Sequence, residues 1–295
     1  MLMSSPKEAE HAVREIPVGT LSSQPVVEIR PIRHWLDLDL RSVWRFRELL
    51  VVLLMRDVRV LYRQAVFGIA WAIIQPVFAV IVFSIVFGRF ARISSDGMPY
   101  AVFVFAAVLP WTYFAEAVRR SSTGLVNDAE LVRKIYFPRL LIPLQGVTAP
   151  LIDFAFAFVV LLATMLWYGV MPTWRLLALP PMIALTGALA LAVGLWLSPI
   201  NARFRDIKHT LPFILQIWMY ASPIVYPVSM VPDAWRWIYS LNPMVGVIEA
   251  FRWAILAKDQ PELTSILISV VLTAALLLGG LVFFRRSEQS FADVI

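Results

Sequence analysis

No cysteine occurs in the sequence. Disulfides, thiol catalysis and cysteine metal sites are therefore excluded. Histidine is nearly absent as well: His11, His34 and His209 are scattered, and no pair has metal-ligand spacing. No GxxxxGK loop followed by Ser or Thr is present to cradle phosphates, so the chain does not power itself by the usual nucleotide chemistry. GxSxG, HExxH and paired intramembrane aspartates are missing too. The residues supply no catalytic site and no metal site. Charge is also scarce inside long runs. None occurs between Arg63 and Arg89, Asp96 and Glu116, Arg175 and Arg203, Lys208 and Asp233, or Glu262 and Arg285. Between Arg139 and Arg175 the one charge is Asp153.

What fills these runs is apolar. Hydrophobic residues make up 60% of the 295, and mean hydropathy is +0.74, well above a soluble domain. A helix needs about 20 apolar residues to cross the hydrocarbon core. Lipid forces backbone groups to bond within their own segment, and barrel strands alternate too often to leave runs this long. The expected class is an all-α membrane protein with six transmembrane helices. The spans are expected at Phe67–Phe87, Tyr100–Val118, within Leu140–Trp174, and at Leu177–Leu197, Leu211–Val231 and Leu263–Phe284. Pro110, Trp111 and Tyr113 are expected to interrupt the second, and Pro143 or Pro150 to bend or break the third.

Net charge is +6, yet the basic residues sit at span ends. They are assigned to topology and anionic headgroups rather than to nucleic acid. Residues 1–37 are polar and proline-punctuated, without the apolar core of a signal peptide, and are expected to form a flexible cytoplasmic tail. Residues 38–66 read as an amphipathic helix. Val43, Phe46, Leu50, Leu54 and Leu61 recur at helical spacing among Arg45, Glu48, Arg56, Arg59 and Arg63. Such a helix lies in the membrane surface or packs as an ordinary cytoplasmic helix. Residues 67–286 form the membrane domain and 287–295 a second cytoplasmic tail.

The most distinctive stretch is NDAELVRKIYFPR, Asn127 to Arg139. It reads as a short charged helix between two spans. Asn127 or Asp128 is placed to cap it, Glu130 and Lys134 to pair four apart, and Pro138 to end it. Val132 and Tyr136 share a face, while Arg133, Lys134 and Phe137 point elsewhere. A second basic loop, Asn201–Thr210, follows the fourth span. Between spans five and six, Trp235, Trp237 and Trp253 lie on apolar pieces too short to cross. These read as two short helices at the outer interface, separated by Asn242 and Pro243. With the N-terminus inside, thirteen lysines and arginines near span ends fall on the inner side (Arg56, Arg59, Arg63, Arg119, Arg120, Arg133, Lys134, Arg139, Arg203, Arg205, Lys208, Arg285, Arg286). Six fall outside (Arg89, Arg92, Arg175, Arg236, Arg252, Lys258). Both termini and the central stretch are therefore expected to be cytoplasmic.

Five segments in order resemble the ABC transporter permeases of polysaccharide export, the group that moves lipid-linked O-antigen, capsule or teichoic acid chains. They are RDVRVLYRQAVFGIAWAIIQP (Arg56–Pro76), NDAELVRKIYFPR, FRDI (Phe204–Ile207), SPIVYP (Ser222–Pro227), and NPM with VIEAFRW (Asn242–Trp253). The resemblance covers about residues 40 to 290, with Ala65 standing where a serine is expected. It implies a homodimer in the bacterial inner membrane, joined to two copies of a separate ATPase that carries the ATP and Mg. This chain itself holds no cofactor. The resemblance further implies ATPase coupling through Asp128, Glu130, Leu131, Arg133, Lys134, Tyr136 and Phe137, with a second contact at Phe204, Arg205 and Asp206. It implies a translocation path along Phe67, Trp71, Gln75, Tyr220 and Tyr226, and an outer gate of Trp235, Trp237, Asn242, Pro243 and Trp253. Sugar rings stack their apolar faces on aromatics, which suits such a path, although the same residues also suit interface belts. Two alternatives stand beside this one. The cargo is a drug or small lipid, or the chain is an intramembrane transferase using Asp153, Glu116 or Glu249.

Overall fold

The computed structural model describes residues 40–63, 70–204, 206–257 and 263–288. Phe67 and Arg205 lie outside these, as do the flanking segments 1–37 and 289–295. Among the described residues the chain is helical and no strand occurs. Its elements are α1 (Leu40–Arg45), α2 (Arg47–Arg63), α3 (Ala70–Phe83), α4 (Tyr100–Asn127), α5 (Ala129–Lys134) and α6 (Leu141–Thr148). They continue with α7 (Leu151–Trp167), α8 (Leu179–Arg203), α9 (Ile207–Tyr220), α10 (Asp233–Ser240), α11 (Pro243–Leu256) and α12 (Leu263–Glu288). A π-helical stretch, Ser84–Phe90, extends α3.

Among the described residues five stretches are long and apolar enough to cross a membrane: Ala70–Phe90, Tyr100–Asn127, Leu141–Trp167, Trp174–Arg203 and Leu263–Glu288. The fifth expected span is not among them. Its charge-free run is long, but α9 has 14 residues, about 21 Å of helix at 1.5 Å per residue against about 30 Å of hydrocarbon. Pro223 explains the stop, because it disfavours helical backbone at Ser222. The second span differs in the opposite sense. Pro110 sits inside α4 without ending it, and the helix runs on to Asn127 rather than Val118. Neighbouring helices can support a helix through such a break, and Leu109, Pro110 and Trp111 are all buried in the bundle. In the third span Pro150 separates α6 from α7, and Pro143 lies undisturbed in α6.

α4 is the axis of the bundle. Its apolar window is 78% buried, against 11% for the first span and 17% for α12. Helices α6 and α8 approach it at backbone distance. A Cβ on Gly146 would lie 2.5 Å from the Ser121 backbone nitrogen, and one on Gly194 would lie 2.0 Å from Ser121 Oγ. Small residues let helices meet this closely where lipid gives no hydrophobic drive.

The bundle has two polar ends. At one end Asn127–Arg139 meets α2 and the end of α12, with Arg139 Nη1 donating to the Glu288 carbonyl. A separate apolar cluster forms there from Leu125, Phe137, Leu140, Leu141, Ile142, Leu195, Ala202 and Phe284. Val43, Phe46, Leu49 and Leu50 of the N-terminal helices pack on it, while Trp44, Val51, Val52 and Met55 remain exposed. The amphipathic segment thus has a packed face and an exposed apolar face. At the other end lie Tyr100, the Ser222–Pro227 loop, and α10. The two helices expected beyond the fifth span exist, but α11 is a core helix rather than one half-dipped at a surface. Met244, Val247, Ile248, Phe251 and Ile255 are completely buried.

Candidate functional site

The Asn127 end gathers most of the residues assigned to coupling. α4 leads directly into α5, a six-residue helix with Glu130 in its first turn and Arg133 and Lys134 in its last. Those charges oppose the helix dipole at both ends. Lys134 Nζ and Glu130 Oε2 pair at 3.0 Å, with both side chains largely in the open. Arg133, Lys134 and Tyr136 are exposed, while Leu131 and Val132 rest half-buried on the second apolar cluster. Two expectations change here. Phe137 does not project outward; it is 5% exposed and belongs to that cluster. Helical backbone ends at Lys134, before Pro138, and Ile135 is extended, so Phe137 turns back inward.

Asp128 stands at the N-cap position of α5 but makes no capping hydrogen bond. Its carboxylate instead accepts from Arg56 Nη2 of α2 at 2.8 Å. The same guanidinium reaches Asp57 Oδ1 at 3.0 Å, and Asp57 Oδ2 accepts from Gln145 Nε2 of α6 at 2.5 Å. One chain of polar contacts therefore runs from the Asn127–Arg139 stretch through α2 to the start of the third span. Burial alone would lower the Arg56 pKa, but Asp128 and Asp57 outweigh it and hold the group above its ordinary value. This side of the link stays charged at any working pH. Arg56 is partly exposed, so the bridge by itself stabilises by at most about 1 kcal/mol. Its consequence is positional. The contacts border a cavity of about 310 Å³, lined among others by Arg119, Arg120 and Gln145. Both arginines bind Glu116 at 2.6 Å.

Asp57 and Gln145 had not been singled out from the sequence. The available signal was a glutamine inside an apolar run, the same feature that drew attention to Gln75. The assigned second contact is partly visible: Phe204 and Asp206 are exposed beyond α8, and Arg203 lies over the Phe204 ring at 5.4 Å.

The path and gate residues divide between faces. Trp71 and Gln75 are exposed on α3, and Tyr220 on α9. Tyr226 is brought to both Tyr220 and Tyr239, donating to the Tyr220 carbonyl at 3.3 Å and accepting from Tyr239 at 3.0 Å. Trp235 and Trp237 are exposed on α10. Trp253 is half-buried beneath the Arg175 guanidinium at 5.4 Å. Asn242 is a structural junction. It caps α11, accepts from Trp218 Nε1 at 2.8 Å, and donates to the Ala221 carbonyl and to Ser222. Pro243 is buried at the first turn of α11. Among the described residues no acidic and histidine side chains gather as a metal site. Of the three acids considered for catalysis, Glu116 is engaged by two arginines, Asp153 sits in the first turn of α7, and Glu249 lies on α11.

The inward turn of Phe137 has a measurable consequence. Phe137→Ala is expected to cost about 3 kcal/mol, the low end for a buried phenylalanine, and to lower the melting midpoint in detergent. Tyr136→Ala, one residue away and exposed, is expected to leave it unchanged. Fluorescence-detected thermal unfolding of both variants checks this.

The sequence is similar to those of known proteins. The O-antigen export system permease protein RfbA of Myxococcus xanthus is 26% identical over 257 residues, covering 86% of this chain and 98% of that protein. A protein of the same name from Klebsiella pneumoniae is 26% identical over 249 residues, covering 84% and 95%. The polysialic acid transport protein KpsM of Escherichia coli is 23% identical over 253 residues, covering 81% and 93%. The family model described as ABC-2 type transporter matches residues 48–256, from the first turn of α2 to the last residue of α11, and the chain belongs to that family.

Proposed function

We propose that this chain is the membrane-spanning permease subunit of an ATP-driven exporter of lipid-linked polysaccharide of the O-antigen type. The observation that carries the reading is the Asn127–Phe137 stretch. It presents exposed Glu130, Arg133, Lys134 and Tyr136 on a short helix tied to α2 and α6. It does so in a chain that aligns with export permeases over nearly their whole length. A charged helix held at the end of the most buried span is placed to receive force from another protein. The chain has no phosphate-binding loop of its own.

In this reading two copies of the chain associate with two copies of a separate ATPase, which holds the ATP and Mg. The protein lies in the bacterial inner membrane with the Asn127 end and both termini cytoplasmic. The short α9 completes a sixth crossing together with the loop that follows it. Its exposed face of Phe213, Ile214, Ile217 and Tyr220 then meets the second copy or the path between copies. Aromatic side chains on that path suit the apolar faces of sugar rings.

The test is transport. The chain is co-expressed with its ATPase and assayed in inverted membrane vesicles for ATP-dependent sequestration of radiolabelled lipid-linked glycan. ATP-dependent protection of the glycan from added glycosidase is the expected result. Vesicles that assemble both subunits yet protect no glycan under any condition would overturn the cargo assignment.

A further inference from the structure

The segment Ser222–Tyr226, which joins α9 to the outer helices, is buried without being helical. Ser222 and Ile224 are 1% exposed and Val225 is 8% exposed. Buried backbone outside a helix must find partners for its carbonyls, and in lipid no water supplies them. Here three successive carbonyls are taken by side chains. Arg252 Nη2 of α11 donates to Ile224 O at 2.9 Å, and its Nη1 donates to Tyr226 O at 3.3 Å. Tyr100 Oη of α4 donates to the intervening Val225 O at 2.6 Å. The arginine is itself enclosed, 6% exposed with its guanidinium 3.7 Å from the Phe103 ring centre. Its Nε has no hydrogen-bond partner among the described residues.

We propose that Arg252 and Tyr100 are positioning residues forming a latch that holds the Ser222–Tyr226 strap shut over the outer end of the path, and that the latch releases during transport. The inference rests on the exporter reading and deepens it. A guanidinium fork suits this task because it grips two carbonyls in one plane. The strap contains Pro223 and is followed directly by Pro227, so φ is fixed near its start and just beyond its end. Its hold depends on a few discrete polar contacts, and two-state elements of that kind switch rather than deform. The strap also carries Tyr226, whose hydroxyl joins Tyr220 and Tyr239. Release therefore moves an aromatic, hydroxyl-bearing surface at the mouth, where a sugar chain would leave.

The absence of cysteine permits a direct test. Val225→Cys is introduced into the full chain, which is purified with its ATPase into nanodiscs that expose both faces. The rate of labelling by a charged maleimide is then measured. Resting protein is expected to label slowly. Tyr100→Phe, which removes a single hydroxyl, is expected to raise the rate about fivefold, the population change that one net hydrogen bond allows. Arg252→Gln is expected to raise it by more than about tenfold, since two carbonyls lose a charged donor. Arg252→Lys is expected to fall between wild type and Arg252→Gln. A control cysteine at Leu161, which is wholly buried, is expected to stay unlabelled throughout, and ATP turnover to speed labelling at 225 in the parent. Parental rates in both Tyr100→Phe and Arg252→Gln would overturn the latch, and so would labelling of the Leu161 position in step with 225. Failure of the chain to bind an ATPase would instead overturn the exporter reading, while the resting-state labelling of the chain alone would still decide the latch.

Discussion

Replacing Glu130 and Arg133 together by alanine is expected to leave the chain folded in the membrane and to remove its grip on the ATPase. Both side chains are exposed. Among the described residues, the one polar contact broken is the Glu130–Lys134 pair, and a surface pair of this kind contributes little to stability. Any large effect must therefore come from a partner. Two charged groups in a protein interface together supply about 2 kcal/mol of docking energy, roughly thirtyfold in affinity. The expected result is a normal melting curve, ATPase recovery in co-purification reduced by roughly that factor, and export reduced at least in proportion. Restoring the acid alone, with Arg133→Ala kept, is expected to recover part of the loss. Titration of the purified ATPase onto immobilised permease measures both.

Arg56→Gln is expected to behave differently: the complex assembles, ATP is hydrolysed, and export falls by about tenfold. Arg56 is not on the exposed face of α5. It is the middle of the chain of contacts from Asp128 through Asp57 to Gln145. Removing it frees Asp128 and α5 from α2 while leaving the exposed side chains of Glu130, Arg133, Lys134 and Tyr136 unchanged. The remaining carboxylates, Asp57 and Asp128, then lack their shared cation, and α2 loses its fixed register against the coupling stretch. Arg56→Lys keeps the charge but not the fork, and it is expected to restore export partly. The ratio of glycan moved to ATP consumed, measured in the same vesicles, separates this outcome from the docking defect. Arg56 remains protonated well above neutral pH, so the defect in Arg56→Gln is expected to be the same across the alkaline range.

Much of this architecture was legible in charge alone. The runs that predicted spans one, two, three, four and six, charge-free except for Asp153 in the third, are where the structure places its five long apolar helices among the described residues. Pro150 was legible as a break, because a proline ahead of a helix start is both a stop and a beginning. The fifth run misled because a charge-free stretch reports the solvent, not the backbone. Leu211–Val231 carries no charge, yet helical backbone stops at Tyr220, ahead of Pro223, and a buried strap follows. Pro110 misled in the opposite direction, since packing around α4 supports the helix through it.

Long-range pairing was beyond the sequence. Asp128 has the composition and position of a helix cap, but Arg56, 72 residues earlier, outcompetes the free N–H groups of α5. Phe137 looked like an exposed aromatic beside charges because periodicity was extended past Lys134. Helical backbone ends at Lys134, so the helical period no longer applies: Ile135 and Tyr136 are exposed while Phe137 turns inward. Arg252 had been counted among the positive charges of the outer loops. Nothing in its neighbours along the chain shows that it lies within a core helix and binds the carbonyls of a strap more than 20 residues away.

The central claim is that the Asn127–Phe137 stretch is where an ATPase subunit docks. Site-specific cross-linking tests it most directly, again using the lack of native cysteine. Single cysteines at Glu130, Arg133 and Tyr136 are compared with one at Trp237, at the opposite end of the bundle, in membranes containing the ATPase and a photoactivated thiol-linked probe. The account predicts cross-linked permease–ATPase bands from Glu130, Arg133 and Tyr136, changing in yield with bound nucleotide, and none from Trp237. ATPase adducts at Trp237 with none from the other three would contradict it and place the driving subunit on the other face of the membrane domain.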